Sequence, residues 1–159
     1  MLRSYTLLGL ALALIMSFSG CKKDEDNPSR RAMLTAGNGT WKLTALTVDP
    51  ALPGPGGTTV SNIYAQFNDC TKDDVSIFLS TNNTYREEEG ATKCSQTDPQ
   101  IIRTGTWTLS SDEKNLNITA GGTATEIAIT SMSGSELKGT FRETDAGITF
   151  TYSGTWTKQ

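Results

Sequence analysis

Residues 148–156 read Ile148-Thr149-Phe150-Thr151-Tyr152-Ser153-Gly154-Thr155-Trp156, and this stretch decides the fold. Large apolar residues and one glycine take every second position, with Thr or Ser between them. A strand turns successive side chains to opposite faces, so Ile148, Phe150, Tyr152, Gly154 and Trp156 share one face and the hydroxyl residues share the other. One side is core and the other is wet. The same split separates Leu137, Gly139 and Phe141 from Lys138, Thr140 and Arg142, and Gly105, Trp107 and Leu109 from Thr104, Thr106 and Thr108.

Working outward from this stretch, period-two alternation and recurring turn residues place strands near 39–48, 74–79, 83–89, 101–109, 114–119, 124–131, 135–144 and 147–157. Segment 60–69 is ambiguous between a short helix and irregular chain. Residues 49–60 (DPALPGPGGTTV) carry three prolines and three glycines and read as a long irregular loop, either a lid at a barrel mouth or a disordered insertion. An antiparallel sheet of many short strands hides its edges by stacking or by closing on itself. Short hairpin connections favour closure, so the expected fold is all-β, an antiparallel up-and-down barrel of about eight strands over residues 38–159. Gly39-Thr40-Trp41, Gly105-Thr106-Trp107 and Gly154-Thr155-Trp156 repeat one tripeptide, with Gly139-Thr140-Phe141 as a near copy. A glycine two residues before an aromatic lies on the same face and leaves room for the ring or for tight sheet curvature.

Composition narrows the function. The chain has 159 residues, 36% hydrophobic and 19% charged, which suits one domain. It has no histidine, which removes Ser-His-Asp hydrolysis, Cys-His proteolysis and most catalytic zinc sites. A formal charge of −3 lacks the basic footprint of nucleic-acid binding. No enzyme activity, catalytic residue, metal, cofactor or nucleic-acid partner is expected.

The N-terminus reads as an address. Arg3 precedes the apolar run Leu7 to Met16, and small residues lead to Cys21, so residues 1–20 read as a secretory signal peptide. The run is too short for a membrane span and is followed by Lys22, Lys23, Asp24, Glu25 and Asp26. Ser17 to Cys21 resembles the bacterial lipobox, which implies that Cys21 carries acyl chains such as palmitate and becomes the new N-terminus. The alternative is a plain exported protein with a spare cysteine. Residues 21–37 then form the lipidated cysteine and a flexible tether. Asp24-Glu25-Asp26 looks like the tags that some Gram-negative lineages place after that cysteine, which implies a lipid-anchored place at the outer membrane, with the leaflet undecided; otherwise the tract is a solvated spacer.

Strands 74–79 and 83–89 flank the turn-prone stretch Ser80 to Asn82, and the register of this hairpin places Cys70 opposite Cys94 where it continues. In an oxidising compartment the two form a structural disulfide. The same register brings Asp74 near Glu89 and Asp73 near Gly90, with Glu87 and Glu88 close by. Facing like charges are unfavourable. Three readings are open: a solvated rim, favoured by Lys72, Arg86 and Lys93 beside the acids; a Ca²⁺ site; and the paired carboxylates of a glycoside hydrolase.

The chain resembles the lipocalin-like domains of small bacterial lipoproteins. Gly39-Thr40-Trp41-Lys42-Leu43 is similar to the Gly-x-Trp opening strand of lipocalins. Cys70-Thr-Lys-Asp-Asp74, Asn83-Thr-Tyr85, Glu89-Gly-Ala-Thr-Lys-Cys94 and Gly105-Thr-Trp107-Thr-Leu109 match that group in order and spacing. The resemblance implies an eight-stranded up-and-down barrel whose interior holds a small apolar molecule. Tyr85, Trp107, Phe141, Phe150 and Tyr152 are the candidates for its lining, with core packing alone as the alternative and favoured role of each, and Trp41 reads as an end plug. One departure is that the arginine which often packs over the first-strand tryptophan has no clear counterpart at the last strand.

Three functions compete. A lipid-anchored binding module predicts an apolar cavity of roughly 300 Å³ or more. An envelope interaction or structural protein, with its protein partner unknown, predicts an exposed apolar patch and no cavity. A small hydrolase using Asp74, Glu87 and Glu89 requires a cleft with a raised carboxyl pKa.

Overall fold

The computed structural model describes residues 28–159. The signal segment, Cys21 and the tether through residue 27 lie outside the described residues. The described chain runs α1 (Arg30–Thr35), β1 (Thr40–Pro53), β2 (Thr59–Asn62), α2 (Asp69–Lys72), β3 (Val75–Phe78), β4 (Thr84–Glu88), β5 (Ile101–Leu109), β6 (Asn115–Ala120), β7 (Thr123–Met132), β8 (Glu136–Asp145) and β9 (Ile148–Lys158).

All neighbouring strands pair antiparallel, in the order β2-β1-β3-β4-β5-β6-β7-β8-β9, and β1 also pairs with β9. That last pairing closes eight strands into an up-and-down barrel and leaves β2 as a flap on the outer half of β1. The turns are those that hairpins favour. Gly121 and Gly122 (φ 58° and 81°) join β6 to β7, and Ala146 and Gly147 (φ 47° and 81°) join β8 to β9. β3 and β4 pair Val75 with Glu88 and Phe78 with Tyr85, the register read from the sequence. The connection 89–100 between β4 and β5 is long, not a tight hairpin.

The repeated glycines serve different needs. A Cβ on Gly154 would run into the Trp156 ring, and one on Gly105 would strike the Thr119 carbonyl and Ala120 on β6. One glycine makes room for an indole and the other lets two strands approach closely, both as the tripeptide suggests. Gly39 differs. It precedes β1 with a left-handed φ of 67° and lies against the Phe78 carbonyl.

Two expectations are corrected. Residues 49–60 are not an irregular loop: β1 runs on to Pro53, turns through Pro55–Gly57, and returns as β2, with Leu52 opposite Val60. Pro50 and Pro53 fit because this end of β1 lies beyond its pairing with β9, which ends at Asp49, where missing N–H groups disrupt no central ladder. Gly56 and Gly57 take the left-handed turn positions, at φ 67° and 79°. Within segment 60–69, β2 gives way to a short 3-10 turn at Tyr64–Gln66, and α2 begins at Asp69.

The second correction concerns the tether. Residues 30–35 fold into α1, whose Ser29 hydroxyl accepts a hydrogen bond from the Ala32 amide as an N-cap. Its apolar pair Met33 and Leu34 is buried, Leu34 completely. Arg30 reaches Glu113 and Arg31 reaches Asn83, so α1 ties together the β5–β6 and β3–β4 turns across one end of the barrel.

Candidate functional site

The two ends of the barrel differ in chemistry. At the α1 end, Leu34, Trp41, Trp107, Leu116 and Leu137 are fully buried and form a packed floor. Trp41 donates its indole N–H to the Leu34 carbonyl at 2.8 Å, and Trp107 donates to the Leu79 carbonyl at 3.0 Å. Both buried indoles therefore have the partner that burial demands. Phe78 meets Trp107 edge-on, with ring centroids 6.0 Å apart. Cations cover the two indoles: Arg31 lies 4.6 Å from the Trp107 ring and Lys158 lies 4.5 Å from the Trp41 ring.

Lys158 also donates to the Met33 carbonyl at 2.6 Å, and burial lowers its pKa. It is the cation over the first-strand tryptophan, contributed by the last strand as a lysine. Period-two phasing with Trp156 places it on the inner face, and that signal was available in the sequence.

Above the floor the barrel encloses a cavity of about 390 Å³. Its deeper wall is mostly aliphatic, with Leu116, Ile118, Ile127 and Leu137 from three adjacent strands, continued by Trp156 on β9 and Leu43 on β1 beside them. Toward the open end the wall turns polar: Asp74 just before β3, Glu87 on β4, Arg103 on β5 and Glu143 on β8. Glu87 and Arg103 form an ion pair. Burial pulls the Arg103 guanidinium down, but Glu87 outweighs it and leaves Arg103 above its ordinary range. The Tyr85 hydroxyl, 3.2 Å from the Ser76 hydroxyl, is pushed up by burial and by Glu87.

Asp74 is pushed up to about 6, first by burial and then by the Glu89 charge, with Asp73 and Glu87 adding to it. The hairpin register thus brings Asp74 to Glu89 as expected, but Asp74 and Glu87 belong to the cavity wall and not to a solvated outer rim. Asp73 behaves oppositely. Burial pushes it up, yet the Thr92 hydroxyl and amide, each donating at 2.9 Å, hold it below its ordinary value.

Just outside this wall, Cys70 and Cys94 form a disulfide, with Cα atoms 5.2 Å apart. It staples α2 to the long connection 89–100 at the open end, as the register requires.

Of the aromatic residues put forward for the cavity, Tyr85 and Phe141 line it. Trp107 lies beneath it in the floor. Tyr152 is half-buried and stacks on Phe141 with centroids 4.9 Å apart, and Phe150 is half-buried further along β9. Trp41 lies in the floor, as an end plug does. The aliphatic wall and the charged residues Arg103 and Glu143 were missed. Arg103 is in phase with Gly105 and Trp107, and Glu143 with Phe141, so the same period-two pattern marks them once charged residues are admitted to an inner face.

A family model described as "Lipocalin-like domain" matches residues 38–139. No curated protein matches the chain. Among solved structures the chain is similar to bovine odorant-binding protein in complex with a selenium-containing odorant, at 14% identity and a TM-score of 0.43, covering 86% of this chain and 77% of that one. The deswapped triple mutant of the same bovine protein is similar at 13% identity and a TM-score of 0.41, covering 76% of this chain and 72% of that one.

Proposed function

Because the chain belongs to the lipocalin-like domain family, we propose that its barrel holds a small, mainly apolar molecule. The observation that carries this reading is the cavity of about 390 Å³, walled mostly by aliphatic side chains above the packed core that holds Trp41 and Trp107. A pocket of this size and lining suits a compact ligand, with burial stabilising it by roughly 25 cal/mol per Å² of apolar surface. The floor closes one end, so the ligand enters past Asp74 and Arg103.

Binding is favoured over catalysis at this site. The raised Asp74 carboxyl is one half of what a two-carboxylate hydrolase needs, but the second acid, Glu87, is held by Arg103. Exposed apolar residues Ile101, Ile102 and Ile148 lie at the starts of β5 and β9, which are opposite strands of the barrel, so they do not make the patch that an interaction protein would present.

The test is a fluorescence titration with N-phenyl-1-naphthylamine, a neutral apolar probe. Saturable enhancement is expected for the wild type, with binding weakened at least about tenfold in Ile118→Trp, which fills the cavity. A wild type without saturable enhancement overturns the reading.

The cellular setting is a separate part of the proposal. Cys21, in the lipobox-like stretch Ser17 to Cys21, anchors the protein by acyl chains, and the acidic tract Asp24 to Asp26 directs it to the outer membrane. Mass spectrometry of the protein extracted from membranes should find a mature chain that begins with an acylated Cys21. An unmodified Cys21 would sink this part.

A further inference from the structure

The cavity has charge as well as shape, and that bears on the binding reading above by fixing the chemistry of one end of the ligand. Asp74, Glu87, Arg103 and Glu143 stand in its wall. Arg103 and Glu87 neutralise one another. Asp74 and Glu143 are left with no cation among the cavity-lining residues. Oδ1 of Asp74 is buried without a hydrogen-bond partner, and Glu89 beside it adds negative charge that the Gly90 amide, donating to Asp74, only partly offsets. Among the described residues, cations of this end are engaged elsewhere: Lys72 pairs with Asp69 at 3.2 Å, Lys93 donates to the Asp98 carbonyl at 2.7 Å, and Arg86 pairs with Glu88 at 3.1 Å.

A purely apolar occupant would cover Asp74 and leave its buried oxygen unpaired, which is costly, while Glu143 stands exposed at the mouth above it. An anionic occupant would add like-charge repulsion. A molecule with an ammonium end supplies both the missing charge and hydrogen-bond donors, while its apolar body lies on Leu116, Ile118 and Ile127. We infer that the barrel is built for a cationic amphiphile, whose protonated amine sits beside Asp74 at the open end and whose hydrocarbon part fills the aliphatic wall below.

The experiment uses the full chain loaded with N-phenyl-1-naphthylamine and displaces that probe with octylamine, 1-octanol or octanoate, three molecules with one chain length and different ends. At about pH 8, above the value of about 6 to which Asp74 is raised and where the amine is protonated, octylamine should displace the probe at about tenfold lower concentration than octanol, with octanoate weakest. Asp74→Asn keeps the shape and removes the charge, and should narrow the octylamine advantage over octanol to within about threefold. Octanol matching octylamine in the wild type, or octanoate matching or beating it, overturns the inference and leaves the apolar cavity standing. A wild type that takes up no probe brings down the cavity reading and this inference together.

Discussion

The two ends of this barrel are built on opposite principles. At the floor every demanding group is satisfied: both buried indole N–H groups have carbonyl partners, both rings carry a cation, and α1 covers what the strands leave open. At the mouth, buried carboxylate oxygens of Asp74 and Glu89 have no partner, like charges face each other, and the chain is stapled by a disulfide. The difference teaches where stability resides and where the proposed ligand would enter. A packed, satisfied end holds the fold, and an end with unmet polar groups is tolerated where a ligand can meet them.

The contrast can be broken most severely at the floor. Trp107→Ala removes a fully buried indole and orphans the Leu79 carbonyl, and should cost about 3–5 kcal/mol in chemical denaturation. A loss under about 1 kcal/mol would show that the floor is not the stabilising end.

Replacing the disulfide by Cys70→Ala/Cys94→Ala releases a crosslink spanning 24 residues of sequence and should cost about 2–4 kcal/mol. Hydrogen exchange should rise around 89–100 while the amides of β1 and β6 at the floor stay protected; loss of protection at both ends together would erase the distinction.

The smallest effect has the opposite sign. Asp74 is raised from 3.8 to about 6 in the fold, so the folded state prefers its protonated form, and its cost to stability grows as pH rises from about 4 to about 6. Asp74→Asn should therefore stabilise the protein above that window, by no more than about 1 kcal/mol after solvent screening, and be neutral below it. Thermal melts of the two proteins near pH 8 and pH 4 check this, and a variant that melts lower at both would refute the uncompensated charge.

Much of the fold was legible because strand periodicity is a local signal. The alternation in 148–156 marked the inner face of β9, and the hairpin around Ser80 to Asn82 fixed the register that pairs Cys70 with Cys94. The flap of β1 and β2 was not legible. Its prolines and glycines are breakers by composition, and only their placement on an edge and in a turn makes them compatible with strands. Helix α1 was hidden for another reason. Six residues with one capping serine and two apolar side chains are too short to fold alone, and the burial of Leu34 against Trp41 is what stabilises them.

The cavity wall divides in the same way. Aromatic residues were singled out because their size makes them conspicuous, yet the wall is mostly aliphatic, and Trp107 went to the floor because it stands further along β5 toward the closed end. Alternation assigns a face to each residue but says nothing about its height in the barrel.

By itself the sequence determined which side of each strand is buried, which cysteines meet and that the sheet closes, because these follow from period-two geometry and hairpin register. Only the tertiary structure decided how high each inward residue stands, that Lys158 and α1 seal one end, and that Asp74, Arg103 and Glu143 face a common space. Those outcomes depend on contacts between residues distant in the chain, which local pattern does not encode.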